Sequence, residues 1–221
     1  MNKYIYTILL VFLCLVLNAQ DVIFKKSNFK DDKEGFKSAL SMIERGDELL
    51  EKGKEKVLSM KYAGDEYNES LQYYLEAYAF NSNSSELNRK IGHAYLYTNE
   101  PYKAKSFLVR SLELNNNPDP FLYFLLGKSY QLEKDFEAAE KNFLKFGKEA
   151  HVKILDVYKK LNRKHIKECK SGAEIFSVKR RYWVDNVKEL NTKVDEVAPC
   201  ISADGSAIIF SSNRTGNMDI Y

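Results

Sequence analysis

His165 and Cys169 stand four residues apart, a spacing that puts both on one face of a helix within reach of a shared metal ion. A closed zinc site takes four ligands, and no second Cys/His pair lies near them, so the pair reads as incidental helix surface. The chain holds three histidines and three cysteines in all, too few for a built ligand cluster. It has no phosphate-cradling glycine loop, no Gly-x-Ser-x-Gly elbow and no metalloprotease His pair. Asp204 precedes Gly205 and reads as turn chemistry, not as a catalytic acid. Arg163-Lys164-His165, Lys167, Lys170 and Lys179-Arg180-Arg181 form a basic run. It reads as a solvated face and linker, with contact to an acidic partner or to phospholipid headgroups as the alternative. These readings assign no catalytic, metal or cofactor residue and predict a protein that catalyses no reaction.

What must then position a binding surface is legible from composition and period. The 221 residues are 44% hydrophobic and include 13 Phe and 15 Tyr, which supplies a folded core and excludes a largely disordered chain. A formal net charge of +3 is too mild for a chain whose main partner is nucleic acid. Lys3 followed by the apolar run Tyr4 to Leu17 and by Asn18-Ala19-Gln20 predicts a secretory signal peptide cut after Ala19. Phe12 and Leu13 are too bulky before Cys14 for lipoprotein processing, and no other run is long enough to cross a membrane. Removal of Lys3 leaves about +2, and export leaves Cys169 and Cys200 in an oxidising compartment. Two separate thiols are the plainer reading of this pair than a bridge.

Self-similarity is the strongest internal signal. Ile91-Gly92-His93-Ala94-Tyr95 returns as Leu126-Gly127-Lys128-Ser129-Tyr130, and Ala104 and Leu108 return as Ala139 and Phe143. Both steps are 35 residues, and Ser70, Tyr74 and Ala77 map onto Ala104, Leu108 and Ser111 at 34. Close-packing glycines, space-filling tyrosines and small alanines at these positions predict paired helices. Apolar spacing places the helices at 35–61, 67–80, 85–97, 101–114, 120–132, 136–147 and 151–169. The last is read as a cap closed by Ser171-Gly172. Asn81 to Ser85 and Asn115 to Asp119 are turns by composition.

The period and these residues resemble the tetratricopeptide repeat (TPR). The resemblance implies a solenoid over 35–175, after a lead-in at 20–34, with three helix-turn-helix units and a cap. It also implies a concave groove that binds a partner protein or peptide. By register the groove falls on Glu86, Arg89, His93 and Tyr97 in one unit and on Phe121, Phe124, Lys128 and Gln131 in the next. Phe121 and Phe124 packing against the preceding repeat is the open alternative.

After a linker at 176–196 the pattern changes. β-prone runs flank Asp204-Gly205 as a tight hairpin would require, with a third strand expected at Asp219-Ile220-Tyr221. Pro199, Ser202-Ala203-Asp204-Gly205, Ile209-Phe210-Ser211-Ser212-Asn213-Arg214-Thr215-Gly216 and Asp219-Ile220-Tyr221 resemble the first repeat of a TolB-type, WD40-like β-propeller. The expected class is therefore an all-α TPR solenoid followed by a truncated all-β propeller start at 197–221. With the signal peptide, this resembles the N-terminal part of TPR, β-propeller and outer-membrane-protein-A-like proteins of gram-negative envelopes. That resemblance implies an exported, periplasmic, outer-membrane-associated scaffold, some relatives serving secretion or gliding. Peptidoglycan binding would need a further C-terminal domain. The rival expectation is an accessory repeat module of an enzyme or ligand-binding protein whose site lies beyond Tyr221.

Overall fold

The periodic glycines decide how the helices pair. A Cβ on Gly92 would sit 2.6 Å from the Leu108 side chain, and one on Gly127 would sit 2.7 Å from the Phe143 ring. Only a residue without a Cβ admits such an approach, so each glycine marks where the first helix of a hairpin presses on the second. A computed structural model of the protein describes residues 20–178 and 185–221. The signal-peptide expectation for residues 1–19, together with Lys179-Arg180-Arg181 and Tyr182-Trp183-Val184, lies outside them.

Among the described residues, seven α-helices make up the first of two compact units, which ends at Val178. They are α1 (Lys33–Leu58), α2 (Gly64–Phe80), α3 (Ser85–Tyr95), α4 (Ala104–Leu114), α5 (Phe121–Leu132), α6 (Phe136–Glu149) and α7 (Val152–Ser177). A 3₁₀ turn, Pro101–Lys103, leads into α4. The pairs α1/α2, α3/α4 and α5/α6 are the three helical hairpins that the period predicts, and α7 packs mainly on α6. Asp32, Ser84 and Asp135 cap α1, α3 and α6 by accepting from the backbone N–H groups of Gly35, Leu87 and Ala138. Ala104, Leu108, Ala139 and Phe143 are fully buried between their hairpin helices, as the repeat requires.

Gly46 is the counterpart of Gly92 and Gly127 in the first hairpin, with a virtual Cβ 2.5 Å from the Tyr74 ring. From Gly46 to Tyr74 is 28 residues, against 16 from Gly92 to Leu108 and from Gly127 to Phe143. Most of the extra residues lengthen α1, which runs 12 residues past Gly46 to Leu58 against 5 from Gly127 to Leu132, about two more turns; the rest lengthen the start of α2.

Two elements depart from expectation. Helix α7 does not stop at Ser171-Gly172: it runs through both to Ser177. Gly172 lies within 2.6 Å (virtual Cβ to ring) of Phe136, so it serves close packing and not termination. The lead-in at 20–34 is also more than a lead-in. The Asp21 carboxylate accepts from the Ser85 backbone N–H at 2.8 Å and from the Ser85 hydroxyl at 2.7 Å. Val22 exchanges bonds with Asn83 and Asn81, and Phe24 and Phe29 stack on Phe80. The segment straps the α2–α3 turn.

The second unit, described over 185–221, is a three-stranded antiparallel sheet in the order β1 (Glu196–Ile201), β2 (Ile208–Ser212), β3 (Asp219–Ile220). The β1–β2 connection is not the tight two-residue turn expected at Asp204-Gly205 but spans 202–207. There Asp204 Oδ1 accepts from the Ser202 hydroxyl (2.6 Å), the Ser206 hydroxyl (2.8 Å) and the Ser206 N–H (3.1 Å). These donors, Ser202 first, hold the Asp204 carboxyl down at about 2. Gly205 takes the left-handed conformation the loop needs, at φ 71°. A bulge at Ala198-Pro199 shifts the β1 register. Arg214 lies over the Tyr221 and Phe210 rings at 4.6 and 5.0 Å and donates to the Leu190 carbonyl, tying the strands together.

Candidate functional site

The first helices of the three hairpins, α1, α3 and α5, share one side of the helical unit, and α7 follows as a fourth. The added turns of α1 carry Glu51, Lys54 and Leu58 toward the start of α7, where Ile154, Val157 and Tyr158 meet them. Arg89 of α3 and Phe121 at the start of α5 form the floor. The result is a cleft of about 360 Å³. Its rim carries three cations (Lys54, Arg89, Lys153) and three carboxylates (Glu51, Glu55, Asp119) around an apolar strip of Leu58, Ile154, Val157 and Tyr158.

The expected groove residues divide sharply by depth. Glu86 is exposed and clamps Arg89 with two bonds, Nη2–Oε1 at 2.6 Å and Nε–Oε2 at 3.0 Å. Arg89 is thereby aimed at the cleft. His93, by contrast, is 2% exposed, wedged among the rings of Tyr67, Tyr97 and Phe121 at 5.5 to 5.8 Å. Burial, reinforced by the charges of Arg89, Lys54 and Lys128, holds its pKa well below 6.5, and its Nδ1 has no partner among the described residues. Phe121 is 6% and Phe124 1% exposed. Both rings pack on Tyr158 of α7, at 4.9 and 5.1 Å. The expectation that His93 and Phe124 face an open groove is corrected: they are core, whereas Phe121, though largely buried, still lines the cleft floor. The reason is α7, whose Tyr158 and His165 lie over the positions that the register assigns to a partner.

The remaining three are intermediate. Tyr97 stacks on Tyr67 at 4.5 Å, and its hydroxyl accepts from Lys128 Nζ at 2.7 Å. Lys128 is half-buried over the Tyr97 ring, with no carboxylate within 4.0 Å among the described residues; desolvation lowers it to about 8. Burial also raises the Tyr97 and Tyr158 hydroxyls to about 12. Gln131 donates to Glu168 Oε2, which also meets His165 Nδ1 at 2.9 Å. His165 is stacked flat on Phe143 at 5.1 Å, and Cys169 is buried in the core with its thiol pushed up to about 11 by that burial. Both residues of the His165/Cys169 pair are thus occupied in packing. Cys169 and Cys200 are free thiols. Among the described residues no group of three His, Cys, Asp or Glu is placed to hold a metal ion.

The cleft residues that register transfer missed are Glu51, Lys54, Leu58, Glu55, Asp119, Lys153, Ile154, Val157 and Tyr158. One signal for the first three was in the sequence, the 28-residue gap between Gly46 and Tyr74. The α7 residues had a signal as well, since the cap has the spacing of a further first-type helix.

Residues 122–146, which are most of the third hairpin, match the family model of the tetratricopeptide repeat. The helical unit therefore contains a TPR repeat. No match among the curated proteins was found. A TPR repeat is a protein–protein interaction module, and the cleft's mixture of apolar strip and charges of both signs suits a protein partner. Among the described residues, no helix is long and apolar enough to cross a membrane.

Proposed function

We propose that the protein is a non-catalytic interaction scaffold that holds a partner protein or peptide in the cleft between α1 and α7. The observation that carries this reading is the cleft itself. A TPR-containing unit presents Leu58, Ile154 and Val157, all exposed, beside Arg89, whose orientation Glu86 fixes. An apolar strip flanked by oriented charges supplies both contact area and register for a partner.

The setting we propose is the bacterial envelope. Lys3, the apolar run to Leu17 and Ala19 support export to the periplasm, and the resemblance of the tail to a TolB-type propeller repeat supports an outer-membrane-associated secretion or gliding assembly. The hairpin at 196–212, with Ile201, Ile208 and Ile209 exposed, is compatible with a sheet that packs further strands.

The test is partner capture from envelope extract by residues 20–221, compared with an Arg89→Ala/Val157→Asp variant. Loss of a discrete partner by a variant that keeps its helical circular dichroism supports the reading. Identical partners for both chains would remove the cleft from the function.

A further inference from the structure

Helices α1 and α7 have the same length, 26 residues, and very different charge. Helix α1 carries six Lys/Arg and six Asp/Glu, as a solvated helix usually does. Helix α7 carries seven Lys/Arg (153, 159, 160, 163, 164, 167, 170) against three acids. All seven are exposed, and they recur at three- and four-residue steps on the side away from Leu155, Tyr158, Leu161, Asn162, His165 and Cys169, which pack inward. Only Lys164 and Lys170 reach a carboxylate within 4.0 Å among the described residues, at 3.5 and 3.6 Å, and both contacts are exposed. Lys159, Lys160, Arg163 and Lys167 face solvent with no acidic neighbour at that range. Asp156 and Glu174 share this face, which stays net positive along a helix about 39 Å long.

The same face is not purely polar. Val152 and Ile175 are 67% and 54% exposed beside the cations. Cations along one helix face with interspersed apolar residues are the composition that rests on a lipid headgroup layer. An acidic protein segment would reward the cations but not a convex helix face without a pocket. A phosphate backbone would leave Val152 and Ile175 unrewarded.

We infer that the outer face of α7 docks on an anionic lipid surface, with Lys159, Lys160, Arg163 and Lys167 as its headgroup contacts. The four headgroup contacts are not among the residues that line the cleft. It is tested by vesicle co-sedimentation of residues 20–221 with phosphatidylcholine vesicles, with and without added phosphatidylglycerol. Binding is expected only with phosphatidylglycerol, and it should fall steeply as salt rises. The Lys159→Glu/Lys160→Glu/Arg163→Glu/Lys167→Glu variant should bind on the order of a hundredfold more weakly. A companion variant with Gln at the same four positions should lie between them. These four side chains are exposed, so both variants keep the helical circular dichroism. Three outcomes overturn the inference: equal binding to neutral vesicles, equal binding by the charge-reversed chain, or displacement from vesicles by soluble polyglutamate at equal charge, which would assign the face to an acidic protein.

Discussion

Phe124 is the residue on which the two views of the concave side differ most, so its truncation is informative. As a groove residue it would be solvent-facing, and Phe124→Ala would change stability by no more than about 0.5 kcal/mol. In the structure it is 1% exposed and packs on Phe121, Phe143, Phe146, Tyr158 and His165, with ring centroids 5.1 to 5.8 Å away. Removing a buried phenyl from such a site costs about 3–5 kcal/mol, lost burial plus the cavity left behind. A domain is typically stable by only about 5–15 kcal/mol, so this is a large share of the total. At about 2–4 °C per kcal/mol for a unit of this size, the midpoint should fall by about 6–20 °C. The assay is urea and thermal unfolding followed by helical circular dichroism, with Leu132→Ala, at an exposed position on the same helix, as the control. A Phe124→Ala chain as stable as the control would refute the placement of α7 over α5.

Other consequences follow from the same packing. His93 is neutral when folded, since burial holds its pKa well below 6.5; an unfolded chain takes up its proton as pH falls through that value. The stability it contributes is thus complete above about pH 6.5 and declines below it. Going from pH 7.5 to 5.5 should cost about 1 kcal/mol that a His93→Phe variant does not lose, as urea midpoints at the two pH values will show. Gly127→Ala forces a methyl to within 2.7 Å of the sealed Phe143 ring. The overpacking, about 1–3 kcal/mol, should exceed the gain of about 1 kcal/mol in helix propensity, and unfolding should report a net loss. Asp21→Ala removes two acceptor bonds to Ser85 and should cost about 1 kcal/mol, with faster amide exchange confined to the start of α3 and the α2–α3 turn.

Much of the helical unit was legible because its signals are local. The paired glycines and the alanines at 104 and 139 each state a constraint within one hairpin, and the hairpins lie where the period put them. What escaped the sequence depends on contacts between distant segments. Nothing near Phe121 or Phe124 says that a helix thirty residues on will cover them. Nothing in Asp21 announces that Ser85 is its partner. The end of α7 is not legible locally, because Ser171-Gly172 reads as a stop signal whereas the missing Cβ of Gly172 accommodates Phe136. The β1–β2 connection was misread for a related reason: Asp-Gly suits a two-residue turn, but the hydroxyls of Ser202 and Ser206 gave Asp204 enough donors to organise a longer loop. The cleft was half legible, since Arg89 and Phe121 were on the expected surface while the walls from α1 and α7 were not.

The central claim, that a partner occupies the cleft between α1 and α7, is tested most directly by site-specific photo-crosslinking in the cells that make the protein. A photoreactive residue would be placed at Leu58, at Val157 and, on another surface, at Tyr102, all exposed. The account predicts the same discrete crosslinked protein from Leu58 and Val157 and none from Tyr102. No discrete product from the two cleft positions, or the same product from all three, would contradict it.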